Sequence, residues 1–419
     1  MKNEVLNITS YLVGGAVRDK LLNRKSDDND YVVIGSTVEQ MLTLGFSQVG
    51  KDFPVFLHPQ TKEEYALART EKKVSSGYTG FTCNASEQVT IEEDLLRRDL
   101  TINAMALKPD GEIIDPYNGQ ADLNNRVLRH VSDAFIEDPL RVLRVARFAA
   151  RYHSYGFTIA EETLVLMTQI SLNNELQSLS SERVFTEIDK SLQEDHPDVF
   201  FNVLKSCKAL SVLLPEIDVL WGIPNPAKWH PEICSGLHTM MVLQQAVRLS
   251  NKPEIRFAAL CHDLGKGITP EAEWPSHRGH EEIGLPLIEN LCKRLKVPNS
   301  YQVLALKVCE YHLHCHKAFE LKASTILRLF NALDVWRKPD EFNDFILTCT
   351  ADMKGRTGFE NKEYPQATYL IQCAEAARSI SPKPFVEQGL KGIAIKEAID
   401  KAKLSAIDTI KHSVDKPET

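Results

Sequence analysis

The chain has 419 residues, of which 43% are hydrophobic and 25% charged. That is a globular composition with length for several domains of about 100–200 residues each, and 20 Gly and 20 Pro are too few for a fibrous or low-complexity chain. The formal net charge of −8 excludes a mainly basic, histone-like binder, but not nucleic acid, because a local basic face matters more than the total. No apolar run approaches the ~18–20 residues of a membrane span, and the polar start MKNEVLNITS has no apolar h-region, so neither a span nor a secretory signal is expected. Nine cysteines without a C-x-x-C pair point to reduced thiols and a cytosolic location.

The first 137 residues alternate strand and helix patterns. YLVGGAVRDKLL reads as a strand, a glycine turn and an amphipathic helix, and DYVVIGS as a second strand. Ser36/Thr37 followed by Glu39/Gln40 has capping-box spacing. PVFLHP and EYALART read as two further strands with a turn between them, and TEKKVSSGYTGF (70–81) as a mobile loop. From Asp138 onward helical spacing takes over, and no strand is expected after residue 135. DPLRVLRVARFAARY is a helix with proline in its first turn, and Thr158 with Glu161 has capping-box spacing ahead of ETLVLMTQI. The proline cluster PNPAKWHP (224–231) marks the clearest internal boundary, and the polar tail KHSVDKPET ends a final helical region. These limits give a head (1–137), a helical neck and body (138–223), a histidine-rich helical domain (224–336) and a helical tail (337–419).

Three patterns carry chemistry. Asp28 and Asp30 enter the second strand, where residues i and i+2 face the same side. Paired carboxylates there suit a hard cation such as Mg²⁺, and Glu64, opening a later strand, is a candidate third carboxylate. A D-x-D alone also fits a solvated turn. Joined to Gly14-Gly15 and Arg18 on the next helix, it forms a plausible triphosphate site. Second, Asp138, Arg141, Arg144 and Arg147 recur every three residues, which on a helix lines one face with rigid cationic donors; a solvated basic stripe fits the same spacing. Third, His238 and the adjacent His262-Asp263 form an H…HD pattern of nitrogen and oxygen ligands for a divalent metal. His277, His280, His312, His314 and His316 are alternative ligands or phosphate contacts, and Lys266 either meets a phosphate or is a solvated charge.

LVGGAVRD, DNDYVV, RRDLTINA and EDPLRVLRVARF resemble, in order, the signature motifs of class II tRNA nucleotidyltransferases, the CCA-adding enzymes. GKDFPVFLHP, GYTGFT, DPYNG and HDLGKG are similar to a narrower group, the bacterial multifunctional CCA proteins with an HD domain. The resemblance covers nearly the whole chain. It implies an α+β fold: a small polymerase-β-like nucleotidyltransferase head with a mixed sheet, followed by all-α neck/body, HD and tail domains.

It also implies roles. Asp28 and Asp30 would bind catalytic Mg²⁺. Gly15 and Arg18 would meet the incoming triphosphate, Arg98 would hold the nucleotide and Asp99 would lie near its sugar. Asp138 and Arg141 would read the base edge of CTP or ATP, with Arg144 and Arg147 completing the pocket. A carboxylate accepting from an exocyclic amino group suits cytosine and adenine, whereas uracil and guanine place a carbonyl there. In HD phosphohydrolases a later aspartate completes the site, and Asp352 is the candidate here. The group's HD activities are 2′,3′-cyclic phosphodiesterase, 2′-nucleotidase and phosphatase, with Ni²⁺ supporting the phosphatase and Mg²⁺ the others.

The expected protein is thus a tRNA 3′-end repair enzyme using CTP and ATP, without membrane contact, and monomeric or weakly oligomeric. A poly(A) polymerase with the same head is the alternative, disfavoured by the match beyond the head. A hydrolase with a decayed head would have lost its carboxylates or its arginine series, and both are present.

Overall fold

In the computed structural model, residues 8–25, 29–49, 55–73 and 81–414 are described. They fall into two units, Met1–Ser191 with Val199–Leu213, and Leu192–Asp198 with Leu214–Thr419.

In the first unit the strands are β1 (Thr9–Val13), β2 (Asp30–Ile34), β3 (Ser47–Val49), β4 (Val55–Leu57), β5 (Glu64–Leu67), β6 (Thr70–Lys73), β7 (Phe81–Asn84), β8 (Ala106–Leu107) and β9 (Ile113–Ile114). Seven make one mixed sheet in the order β3-β4-β5-β2-β1-β8-β9, in which only β2 and β5 run parallel. Val32 and Val33 point to opposite faces and seed two apolar clusters. Val32 packs with Val13, Ile91 and Leu95, and Val33 with Met41, Phe56 and Tyr65. The expected capping box at Thr37 is formed: its Oγ1 accepts from Gln40 N at 3.2 Å, and the Gln40 side chain accepts from Thr37 N at 3.0 Å.

Three sequence expectations are corrected. Thr70–Lys73 is not loop but strand β6, paired antiparallel with β7; residues 74–80 lie outside the described ones. A short strand does follow residue 135, since Thr158–Ile159 pairs parallel with Val127–Leu128. Thr158 is therefore occupied in that ladder, and the helix Glu161–Leu172 starts without a side-chain cap, from Ala160.

The second unit is helical. The helices Ser235–Leu249, Pro253–Cys261, His280–Leu295, Asn299–His316 and Pro339–Lys354 pack around a common core that includes Val242, Ala258, Ile288, Val308 and Phe345, all buried. Glycine is required at Gly265, where an added Cβ would overlap the His280 carbonyl oxygen, so the turn after His262-Asp263 can press against the start of the His280 helix. Among the described residues no helix is long and apolar enough to cross a membrane.

Candidate functional site

The head gathers its charged residues around the glycine turn. Gly14, at φ +66°, donates its N–H to Met105 O at 3.3 Å, and the helix Gly15–Leu21 starts immediately after it. A side chain at Gly14 would collide with the Arg98 guanidinium, so the turn stays bare beside that cation. Arg18 is buried under Phe148 and Tyr152, with Cζ 5.4 and 5.0 Å from their ring centroids. Its Nη1 donates to Asn103 Oδ1 at 2.5 Å, and Asn103 Nδ2 donates to Asp99 Oδ1 at 3.0 Å. Asp99 Oδ2 in turn accepts from Arg144 Nε at 2.7 Å. A single polar chain therefore links Arg18, Asn103, Asp99 and Arg144. Burial raises the Asp99 carboxyl, but Arg144 and Asn103 outweigh it and hold the group well below the usual carboxylate range. Asn103, within RRDLTINA, was not singled out in the sequence although it is the hub.

Asp30 and Glu64 are register partners in the parallel pair β2·β5, and both are exposed. Their position supplies hard oxygen donors side by side, as a Mg²⁺ site needs. Asp28 lies outside the described residues.

Asp138 does not sit on the arginine helix. It precedes it in extended conformation, and the helix runs from Leu140 to Tyr152. Its Oδ1 accepts from Leu140 N at 3.1 Å and its Oδ2 from Arg183 Nη2 at 3.3 Å. Arg141 donates from Nη1 to Ala134 O (2.8 Å) and from Nη2 to Arg97 O (2.5 Å). Arg147 is buried, its Nε 2.6 Å from buried Glu187. Arg183 and Glu187 lie some 40 residues away in sequence, and no local spacing connects them to this pocket.

The second unit concentrates its histidines. His238 Nε2 is 3.1 Å from Asp352 Oδ1, and His262 Nε2 is 3.1 Å from Asp263 Oδ2 and 3.9 Å from Asp352 Oδ1. Donor atoms of His238, His262 and Asp352 lie within 4.8 Å of one another, as do those of Asp263, His280 and His312. The Nδ1 atoms of His262, His280 and His312 each face backbone carbonyls, of Ala259 (2.7 Å), His277 (2.9 Å) and Val308 (3.0 Å). A carbonyl only accepts, so each Nδ1 carries a proton, and in the neutral ring each Nε2 offers a lone pair. The Nε2 atoms of His280 and His312 then face each other at 3.4 Å, with Asp263 Oδ1 at 3.2 and 3.7 Å. Buried His262 Nε2 and Asp263 Oδ1 have no hydrogen-bond partner among the described residues. Converging lone pairs and unpaired acceptors suit a divalent metal with mixed nitrogen and oxygen preference.

The electrostatics agree. Burial drives the His312 imidazole down to about 3, so it is neutral and able to ligate near neutral pH. Burial pushes Asp263 up, but His262 and Lys266 outweigh it and hold the carboxyl well below its ordinary range; at Asp352, His316 and His238 do the same. Outside these two clusters stand carboxylate and phenol partners. Glu232 Oε1 is 2.8 Å from His238 Nδ1, and Tyr364 Oη donates to His316 Nδ1 (2.7 Å), whose Nε2 donates to Asp352 Oδ2 (2.6 Å). Glu232 and Tyr364 had no sequence signal. His277 instead holds Thr269 and the Pro224 carbonyl, and His314 packs on Tyr311.

A mixed-sheet head with a glycine turn and paired carboxylates, joined in one chain to a helical unit built on H…HD…D, is a nucleotidyltransferase with an HD domain. Family models match accordingly: the poly A polymerase head domain at 10–129, a probable RNA and SrmB-binding site of polymerase A at 156–220, and the HD domain at 236–336. The chain is 61% identical over 399 residues to the multifunctional CCA protein of Pseudoalteromonas atlantica, covering 95% of this chain and 98% of that one. It is 56% identical to that of Shewanella frigidimarina, covering 96% and 97%. A solved CCA-adding enzyme in complex with CTP shares the fold at TM-score 0.67 and 20% identity, covering 99% of this chain and 90% of that one. The chain belongs to the multifunctional CCA protein family.

Proposed function

We propose that this protein builds and repairs the 3′-terminal CCA of tRNA from CTP and ATP in the cytoplasm, and that its HD domain hydrolyses phosphoesters at RNA ends. The observation that carries the first part is the Asp30–Glu64 pair beside a glycine turn lined by Arg18 and Arg98. Support for the partners comes from the relatives' names and from the RNA-binding family model at 156–220.

In the head, Asp28 and Asp30 would hold Mg²⁺, with Glu64 as third carboxylate; the ion supplies activation of the RNA 3′-hydroxyl and charge neutralisation on the triphosphate. The hydroxyl attacks the α-phosphate, a new phosphodiester forms and pyrophosphate leaves. Gly15 leaves the backbone open to the phosphates, and Arg18 and Arg98 offer fixed cations to them. Asp99, held by Asn103 and Arg144, faces the sugar.

Selection of the base rests on Asp138 and Arg141, both held in place by neighbouring groups. Each Asp138 oxygen already takes one N–H, from Leu140 and from Arg183, and each keeps a second lone pair. Arg141 is held at both Nη by backbone carbonyls, those of Ala134 and Arg97. Asp138 can thus accept from an exocyclic amino group, and Arg141 is the proposed donor to the ring. Arg144 and Arg147 wall the pocket, the latter braced by Glu187.

In the HD unit, His238, His262, Asp263 and Asp352 would hold a divalent metal, Ni²⁺ or Mg²⁺, and Asp263, His280 and His312 form an adjoining ligand set. A metal there supplies an activated water and a Lewis acid for the phosphoryl group. The substrates we propose are 2′,3′-cyclic phosphates, 2′-nucleotides and phosphomonoesters. We likewise propose the division into head (1–137), neck and body (138–223), HD domain (224–336) and tail (337–419). Asp352, on the helix Pro339–Lys354, would then serve the HD site from the tail segment.

The experiment is a pair of variants assayed for both activities. Asp30→Ala abolishes nucleotide addition and spares phosphohydrolysis, and His262→Ala does the reverse. Loss of both activities in either folded variant overturns the two-site reading.

A further inference from the structure

Among the unpaired buried polar atoms of the HD unit, two sets are opposite in chemistry. His262 Nε2 and Asp263 Oδ1 are acceptors, as a metal requires. Asn225 Nδ2 and Arg356 Nε are donors, and neither has a partner among the described residues. A metal cannot satisfy a donor. A phosphoryl group, which carries only acceptor oxygens and negative charge, can.

Asn225 belongs to the proline-rich segment that the sequence marked only as a boundary. The segment is pinned in place: Pro224 O accepts from His277 Nε2 at 2.7 Å, and Asn225 N donates to Ile233 O at 2.5 Å. Asn225 is 2% exposed. Its Oδ1 accepts from Lys266 Nζ at 3.0 Å, and that same Nζ is 2.6 Å from Asp263 Oδ2. Because lysine only donates, the oxygen arm of the amide must face it, which fixes the NH₂ arm as the free one. Lys266 itself is buried and has three N–H bonds, of which Asp263 and Asn225 use two. Beyond Asp352, Arg356 has Nη2 3.9 Å from Asp352 Oδ1. Donors therefore flank the ligand cluster by way of Asp263 and of Asp352.

We propose that Asn225, oriented by Lys266, and Arg356 bind the non-bridging oxygens of the substrate's phosphoryl group in the HD site. The substrate class is a ribose phosphoester, cyclic or terminal. Holding those oxygens leaves the metal ligands free for the ion and places the phosphorus beside it. The inference rests on the phosphohydrolase reading of the HD domain.

The test uses the full-length, Ni²⁺-loaded protein. Inorganic phosphate binding is measured by calorimetry, metal content by elemental analysis, and steady-state kinetics with a 2′,3′-cyclic nucleotide. Asn225→Asp, which puts a carboxylate where a donor stood, weakens phosphate binding about tenfold or more and raises KM more than it lowers kcat, with wild-type metal content. Arg356→Gln, at a less buried position, weakens phosphate binding by a smaller factor and keeps the assay decisive if Asn225→Asp fails to fold. Phosphate affinity and KM unchanged in the folded variants, while the wild type hydrolyses its substrate, overturn this subsite and leave the phosphohydrolase reading standing. Metal loss in parallel with phosphate binding also overturns it, since Asn225 would then serve the ligands. A metal-loaded wild type that neither binds phosphate nor hydrolyses overturns both.

Discussion

Asp30 and Glu64 stand opposite each other on the parallel strands β2 and β5, each the first residue of its strand. Parallel register partners project to the same face, and the stacked rings of Tyr31 and Tyr65, 4.6 Å apart, show the next pair doing so on the other. Two separated segments thus bring carboxylates together at one edge of the glycine turn's sheet. Both are exposed, so neither is there for core stability. Glu64→Gln is expected to slow single-turnover CTP incorporation about 10²-fold, the scale of one positioned acid–base or charge contact, with an unchanged unfolding midpoint.

Arg183 keeps Asp138 in place. Its Nη2 reaches Oδ2 from the helix Ser181–Leu192, and the other oxygen is fixed by Leu140 N. Removing the arginine frees the carboxylate to swing. Arg183→Ala is expected to narrow the preference for CTP and ATP over UTP and GTP about tenfold in kcat/KM ratios, at a smaller cost in total incorporation. Competition assays with all four nucleotides check it.

Glu232 plays the corresponding part for His238. With Oε1 2.8 Å from Nδ1, it orients the ring so that Nε2 turns toward Asp352 and the proposed metal site. Carboxylate partners of ligating histidines are typically worth about 10–100-fold in metal affinity. Glu232→Gln is expected to weaken Ni²⁺ binding by that factor in a chelator competition, without altering nucleotide addition by the head.

The HD unit freed of metal is expected to lose stability on mild acidification. Burial lowers His312 to about 3 and His230 to about 4, against 6.5 in an open chain. The unfolded chain therefore binds more protons between pH 6.5 and about 4, and stability falls with pH there, by up to about 1.4 kcal/mol per unit for each histidine. His262, raised because Asp263 and Asp352 outweigh its burial, acts in the other sense and only above pH 6.5. Urea unfolding of chelator-treated protein at pH 7, 6 and 5 should show the slope, and His312→Asn should reduce it.

How much of this was legible beforehand divides by sequence distance. Local patterns held: the glycine turn, the capping box at Thr37 and the helix after Pro139 depend on neighbours within a few residues. What the sequence hid are the long-range partners. Asn103 as the hub between Arg18 and Asp99, Arg183 for Asp138 and Glu232 for His238 arise only when distant segments fold together. Thr70–Lys73 misled because its strand is stabilised by pairing with β7, while its own Lys and Glu read as loop. Thr158 misled in the reverse way, since the two-residue ladder to Val127 takes a residue whose spacing suits a cap. The histidines were visible as a group, but which of them turn Nε2 toward a common point depends on where Nδ1 is tied, and spacing does not encode that.

The most direct test is a gel assay with tRNA lacking its terminal CCA, Mg²⁺, and labelled CTP and ATP, singly and together. The account predicts two additions with CTP alone, a third only when ATP is present, and then arrest. A lengthening ladder with ATP alone, or no addition by folded protein, would contradict it.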